Sequence, residues 1–503
     1  MSKRLIHNSK IVFEQSTNLS MCRTESQLFK TKFKDWDDVI AVDYTRTAES
    51  VSKTGANLSK WMSEQKVKID LASLFTPQPI PLTEEESQIL IDEWNDELEM
   101  IDTFILDKGK RFVKLPEDEF GHFYTEDCYV FLCRYYVPQE PESSSENKSP
   151  EEEEHRLPNG VANENNCNSD LHSNSEDDFQ CVVYFWQGRQ ASKMGWLTFT
   201  FSLQKKFEAL FGNKLEVIQM HQQQENIKFL SHFKQKFIIH QGKRKKGSSD
   251  KPVELYHLRA NRNPLTLRCI EIQPESSKLN SGFCYILKIN KVVPTTNINN
   301  HDESQHENGF VETHSIIYVW VGSKSNPTEA RIGEELVNER FVMKSKSSSV
   351  KIIQEGNEPQ EFWLALGGKQ VYEPDASFMD HIRLFRCSND KGYFSVTEKC
   401  IDFCQDDLSD DDIMILDNGT QVFLWIGPKS SEVEVKLAYK SAQVYVQNLR
   451  LKDPNPRQLM LTFKGKESKK FTKCFHAWSK HKQIKDPRGD EARFLKQAFQ
   501  DAE

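Results

Sequence analysis

With 503 residues the chain is too long for one ordinary core and has room for about three domains. Its 66 Lys and Arg against 75 Asp and Glu leave a net charge of −9, which argues against a general binder of nucleic acid or anionic membrane, since both select clustered positive charge. No run approaches the ~20 apolar residues of a membrane span, so an integral membrane protein is not expected. The first residues, MSKRLIHNSKIVFEQS, lack the apolar core of a secretion signal, so the 11 cysteines read as buried or semi-buried thiols of a reducing, cytoplasmic compartment. Cys400 and Cys404 lie close together, but no CxxC pair and no His/Cys cluster has zinc spacing.

Residues 1–20 carry no strong pattern. In QLFKTKFKDW (27–36) Leu28, Phe29, Phe33 and Trp36 share a helical face. The stretch 37–80 is mixed and polar, ends in TPQPIP and reads as a linker. Thr83, followed by Glu85 and Glu86, opens a helix with Ile89, Leu90, Trp94, Leu98 and Ile101 on its apolar side.

A repeat follows. Three segments share one order: a polar or acidic approach, a strand, a second strand ending in Gly, then a helix. The first comprises YTEDCYVFLCRYY, an insert, and CVVYFWQGRQASKMGWLTFTFSLQKKFEALF. The second comprises LNSGFCYILKI, an insert, and SIIYVWVGSKSNPTEARIGEELVNERF. The third is uninterrupted: DDLSDDDIMILDNGTQVFLWIGPKSSEVEVKLAYKSAQVYVQNL, residues 406–449. The second strands run into Gly188, Gly322 and Gly427, and each helix is followed by a short apolar strand (LEVIQM, SVKIIQEG, LMLTFKG).

The inserts fall at the hairpin tip, where insertion is tolerated. Residues 138–178 are rich in Ser, Asn and Glu and are expected to be disordered; 290–313 is a shorter loop insert. The third repeat has only Asp417-Asn418-Gly419 there, an Asn-Gly hairpin signal. In the first repeat LTFTFSL alternates like a strand, but its counterparts are helical, so a helix is expected. On it Trp196, Phe199 and Leu203 fall away from Leu197, Phe201 and Leu210. Packing against a neighbouring domain and a face for a protein partner both remain open. In the third helix Val433, Leu437, Ser441, Val444 and Asn448 form the stripe, widened by Ala438, Tyr445 and Leu449.

These residues resemble the gelsolin superfamily. QLFKTKFKDWDD is similar to the helix ending the third gelsolin-like domain, and FGHFYTEDCYVFLCRY with VYFWQGR to the fourth. LNSGFCYILK with YVWVG resembles the fifth, and RLFRCSNDKGYFSVTEKCIDFCQDDLSDDDIMILDNG the sixth. The resemblance implies an α+β fold of three tandem domains, each a mixed five- or six-stranded sheet between a long and a short helix. The domains are expected at 101–242, 253–372 and 380–480, after a remnant at 1–36 and a linker with a helix at 37–100, and before a helical tail at 481–503. No L-x-x-L-x-L repeat occurs and the first three domains are missing apart from the remnant, so a fragment, short isoform or partial gene product is expected.

The resemblance also implies actin binding modulated by calcium. The family's ion takes a backbone carbonyl and an Asp at the first hairpin strand and a Glu early in the helix, oxygen ligands that suit a hard cation. In the third repeat these would be the Asp411 carbonyl, Asp412 and Glu434, with Asn389 a further ligand. A solvated acidic turn that also caps a helix is the plain alternative, but four matching oxygen donors at the family's spacing favour calcium. The first repeat keeps Glu126 and Asp127 but has Gly195 at the helix position, a weak second site. The second keeps Glu329 but has Phe283 for the Asp, so Glu329 reads as surface charge. No EF-hand spacing occurs.

By the same resemblance the helix over about 194–211 would supply the main actin face, with Met194, Trp196, Phe199 and Leu203 as candidates. Lys243, Arg244, Lys245 and Lys246 resemble phosphoinositide-contacting runs, although a lone four-residue run is more often a solvated linker. There is no Walker A, G-x-S-x-G or H-E-x-x-H motif, and His221, His232, His240 and His476 read as core or semi-exposed histidines, so no catalysis is expected. The expected function is an actin-regulating module of the cytoplasmic actin cytoskeleton; the alternative is a scaffold for other proteins, including transcriptional partners in the nucleus.

Overall fold

The computed structural model describes residues 12–13, 67–107, 111–137, 179–245, 251–293, 312–342, 348–399, 402–452 and 456–479. The expected helix at 27–36, the insert 138–178 and the tail 481–503 lie outside them. The chain divides into two compact units, Glu84–Ser249 and Met1–Thr83 with Asp250–Glu503.

The unit Glu84–Ser249 holds the first repeat. Its five-stranded sheet runs Arg111–Lys114, Leu98–Asp107, Cys128–Tyr136, Phe179–Gln187, Leu215–His221. All neighbours are antiparallel except the last pair, which is parallel. A parallel neighbour needs a crossover. A helix supplies it, built of Met194–Phe199, a π-helical stretch Thr200–Gln204, and Lys205–Phe211. CYVFLCRYY is apolar almost throughout because both faces of the sheet are covered. Cys128, Val130 and Leu132 share a core with Phe199 and Phe207 of the crossover helix. Phe131 points the other way, onto Phe229 and Phe233 at the short helix Ile227–Ser231.

LTFTFSL is thus helical despite its alternation. The Thr198 hydroxyl donates to the Met194 carbonyl at 2.8 Å and the Ser202 hydroxyl to that of Thr198 at 2.5 Å, so these two hydroxyls are satisfied within the helix. Upstream, the helix Glu84–Asp96 is shorter than expected, and Leu98 and Ile101 belong to the strand Leu98–Asp107. Pairing with the strand Cys128–Tyr136 takes them, beginning with the Tyr136 amide donating to the Glu97 carbonyl at 2.8 Å. Ile91 is the buried apolar residue of that helix, whereas Ile89 is exposed.

The unit Met1–Thr83 with Asp250–Glu503 holds the other two repeats. Strands of the second pair in the order Ser348–Gln354, Glu312–Val321, Cys284–Val293, Val253–Arg259, Arg268–Ile272. Those of the third run Phe394–Glu398, Arg383–Ser388, Ile413–Asp417, Gln421–Ile426, Gln458–Phe463. Each again ends on a parallel strand after a crossover helix, Pro327–Leu336 in the second and Glu432–Lys452 in the third. The two repeats share one core that includes Phe283, Tyr285, Phe378, Trp425 and Phe475. The buried Arg259 guanidinium joins them, donating to the Lys473 and Cys474 carbonyls at 3.2 and 2.9 Å.

Three expectations are corrected here. Val67–Asp70 pairs in parallel with Phe394–Glu398, and the following helix Ala72–Phe75 buries Leu74 in the core of the third repeat, so 67–75 is part of a domain and not linker. The insert expected at 290–313 is shorter, because the hairpin pairing continues to Val293↔Glu312. In Glu432–Lys452 the expected Ala438, Ser441 and Tyr445 are buried, together with Ala442 and Val446, while Val433 and Val444 are exposed.

Candidate functional site: the acidic loop and the crossover helix

Each repeat holds its approach loop against the end of the second hairpin strand in the same way. In the third repeat the Gly427 amide donates to the Asp412 carbonyl at 3.1 Å and the Lys429 amide to that of Asp410 at 2.9 Å. The same two bonds recur from Gly188 to Asp127 and from Gln190 to Thr125, and from Gly322 to Phe283 and from Lys324 to Ser281. The contact is too close for a side chain: a Cβ on Gly427 would stand 2.4 Å from the Asp410 carbonyl oxygen.

In the third repeat the carboxylates predicted to bind an ion have protein partners. Both oxygens of Asp412 accept from Arg386, from Nε and from Nη2, each at 2.8 Å. Arg386 also meets Asp390 at 2.6 Å, and these carboxylates hold its guanidinium above the ordinary range. Asp410 pairs with Lys464 at 2.5 Å. Glu434 closes a capping box: its carboxylate accepts from the Ser431 amide and hydroxyl at 3.1 and 2.8 Å, and the Glu434 amide donates to Ser431 Oγ at 3.2 Å. Asn389 is exposed in a turn closed by its carbonyl with the Gly392 amide at 2.9 Å. Burial first, then the charges of Asp412 and Glu434, push the Cys387 thiol well up, so both carboxylates act on the same buried strand position. The donor chemistry, all oxygen with two carboxylates, suits calcium. Among the described residues no group of three or more His, Cys, Asp or Glu is placed to hold a metal ion.

The other two loops are further from a site. Asp127 is buried and accepts the Arg244 amide at 2.7 Å; burial pushes its carboxyl up to about 6. Glu126 is exposed. Gly195, where a helix glutamate would stand, is packed so tightly that a Cβ would lie 2.4 Å from Cys128 Sγ. Phe283 is in the core, 5.0 Å from His257 between ring centroids. Glu329 is half-buried and accepts the Ala260 amide at 3.3 Å, so it is a local tether and not the surface charge expected.

The crossover helix of the first repeat presents a different face from the one expected. Phe199 is 0% exposed, and Trp196 and Leu203 pack partly against the same core. Phe199 is therefore withdrawn from any partner face. The exposed apolar side chains are Met194, Leu197, Phe201 and Leu210, the last two at 69% and 73%. In the basic run, Arg244 is committed to Glu119, donating from Nη2 to Oε1 at 2.8 Å and from Nε to Oε2. Lys243 and Lys245 are exposed, and Lys246 lies outside the described residues. His232 and His476 are buried histidines held by Tyr135 and by the His257 carbonyl, and His221 is exposed. No described helix is long and apolar enough to cross a membrane.

The family profile described as "Gelsolin repeat" matches residues 269–363 and 394–472. Protein flightless-1 of Drosophila melanogaster is 54% identical over 467 residues, 91% of this chain. The chain belongs to the gelsolin superfamily. Its similarity is to the C-terminal gelsolin-like part of flightless proteins, and it spans 35% of the length of the Drosophila protein. The human protein flightless-1 homolog is 51% identical over 91% of this chain and 34% of its own length. Mouse advillin is 27% identical over 97% of this chain and 52% of its own length. The gelsolin-like α+β fold expected from the repeat is the fold found, and the profile covers the second and third repeats.

Proposed function

We propose that this chain is an actin-binding module that regulates filament assembly without catalysis, and that its actin face is the exposed apolar row of the first repeat's crossover helix. The observation that carries this is the row itself: Met194, Leu197 and Phe201 project from a helix whose other side is anchored by Phe199 and Phe207, with Leu210 exposed further along it. Large exposed apolar residues on a rigid helix are what helix-in-cleft recognition uses. The superfamily resemblance names actin as the occupant. Co-sedimentation with filamentous actin and fluorescence titration with monomers, each with and without calcium, test it. Saturable binding is expected; none in any condition favours the scaffold reading, to which the loss of ligands at Gly195 and Phe283 lends weight.

Calcium enters the proposal at the third repeat alone. Asp412 and Glu434, with the Asp411 carbonyl and Asn389, would hold it, and the ion would supply a charged link between the loop and the helix. An anionic lipid headgroup would meet Lys243 and Lys245, not Arg244.

A further inference from the structure

Resting on that calcium reading, we infer that Arg386 is a built-in counter-cation that competes with calcium for Asp412 and sets how much calcium the third repeat needs. The strand pairing shows why this falls to Arg386. In each repeat, the residue two places after the loop's acidic position faces one residue of the strand beside it. Those facing residues are Ile105 opposite Tyr129, His257 opposite Tyr285, and Arg386 opposite Met414. In the second and third repeats the loop residue and the facing residue match in character, and in the first they do not. Phe283 has the His257 ring beside it. Asp412 has a guanidinium on both its oxygens. In the first repeat the facing position holds Ile105, so it offers Asp127 no guanidinium, and burial pushes the Asp127 carboxyl up.

A two-pronged guanidinium uses the carboxylate oxygens a cation would need. Calcium at Asp412 competes with Arg386 for both carboxylate oxygens, whereas at Glu434 the Ser431 cap occupies Oε2 and leaves Oε1 to the ion. Once displaced, Arg386 still has Asp390 within reach, so the exchange does not strand its charge. The loop is thereby held shut without metal. Calcium binding becomes an exchange of one cation for another, and the guanidinium raises the concentration at which it occurs.

The test is calcium titration of the full chain in chelator-buffered solution, followed by calorimetry and by thermal unfolding. The proteins are wild type, Arg386→Gln, Arg386→Lys and Arg386→Gln/Glu434→Gln. Arg386→Gln is expected to lower the half-saturating calcium concentration at least tenfold, about 1.4 kcal/mol. Lys keeps the charge but not the fork and is expected to fall between. The double variant is expected to lose the gain. Equal midpoints for wild type and both single variants overturn the role of Arg386 while leaving the site standing. No response in any protein removes the calcium site itself. If Arg386→Gln does not fold, the Lys variant decides alone: a midpoint below wild type supports the inference and an equal one overturns it.

Discussion

The indole N–H of Trp425 donates to Glu467 Oε1 at 3.0 Å. The same bond recurs from Trp186 to Glu225 at 2.9 Å and from Trp320 to Glu358 at 2.8 Å. In every repeat the tryptophan stands two residues before the glycine that seats the approach loop, and the glutamate lies beyond the parallel strand. The bond therefore ties the hairpin to the last strand and fixes the sheet end that carries the loop.

Glu467→Ala leaves a fully buried indole N–H without its acceptor, and the expected loss is about 1–3 kcal/mol. Glu467→Gln keeps an oxygen in place and is expected to recover most of it. Urea unfolding followed by tryptophan fluorescence measures both; an alanine variant as stable as wild type would show that the bond does not hold the sheet end.

Restoring the family's glutamate in the first repeat is expected to fail. Gly195→Glu must place a Cβ against Cys128 Sγ, so overpacking is expected to cost about 1–3 kcal/mol. No calcium-dependent rise in Tm is expected to accompany it. A variant that gained one would show that the helix can retreat from Cys128.

Two buried groups of the same unit give opposite pH slopes. The Asp127 carboxyl, ordinarily near 3.8, is raised to about 6, chiefly by burial. Between those values the folded state holds a proton that the unfolded chain has released, so this contribution is lost as pH rises through about 6. At neutral pH the buried charge costs up to about 3 kcal/mol, at 1.36 kcal/mol per unit. His232 is lowered from 6.5 to about 4, by burial first and then by Lys228, and its Nε2 lies 2.7 Å from the Tyr135 hydroxyl. There the unfolded chain takes up the proton, so stability falls as pH drops from 6.5 towards 4. Asp127→Asn, which keeps an acceptor for the Arg244 amide, is expected to raise Tm at pH 7.5, with the gain roughly halved at pH 5. Below pH 6 the variant is expected to lose stability more steeply than wild type, because the His232 slope then acts alone. Thermal unfolding across pH 5–8 checks both directions.

The hairpins and crossover helices were legible because their signals are local. Asp417-Asn418-Gly419 predicts the turn, and Gly419 takes φ of 86° there with its amide on Asp417 Oδ1 at 2.9 Å. What was not legible depends on partners distant in sequence. The helix at 194–211 is apolar on two sides, so spacing alone cannot say that Phe199 goes in and Phe201 stays out; the sheet beneath decides. Val67–Asp70 reads as polar linker because its pairing partner lies more than three hundred residues on, at Phe394 and Ser395. Glu434 fits both a calcium ligand and the S-x-x-E cap, and the chain alone favours neither. The Arg386–Asp412 pair spans two strands, and only the register brings it together.

The most direct test of the central claim is co-sedimentation of the full chain with filamentous actin, comparing wild type with Phe201→Ser/Leu210→Ser. Both side chains are exposed and outside the core, so Tm is expected to be unchanged. The account predicts saturable binding by wild type and at least a tenfold weaker affinity for the variant. Equal affinity of the two proteins would contradict the assignment of this face, and no pelleting of wild type, with or without calcium, would contradict filament binding.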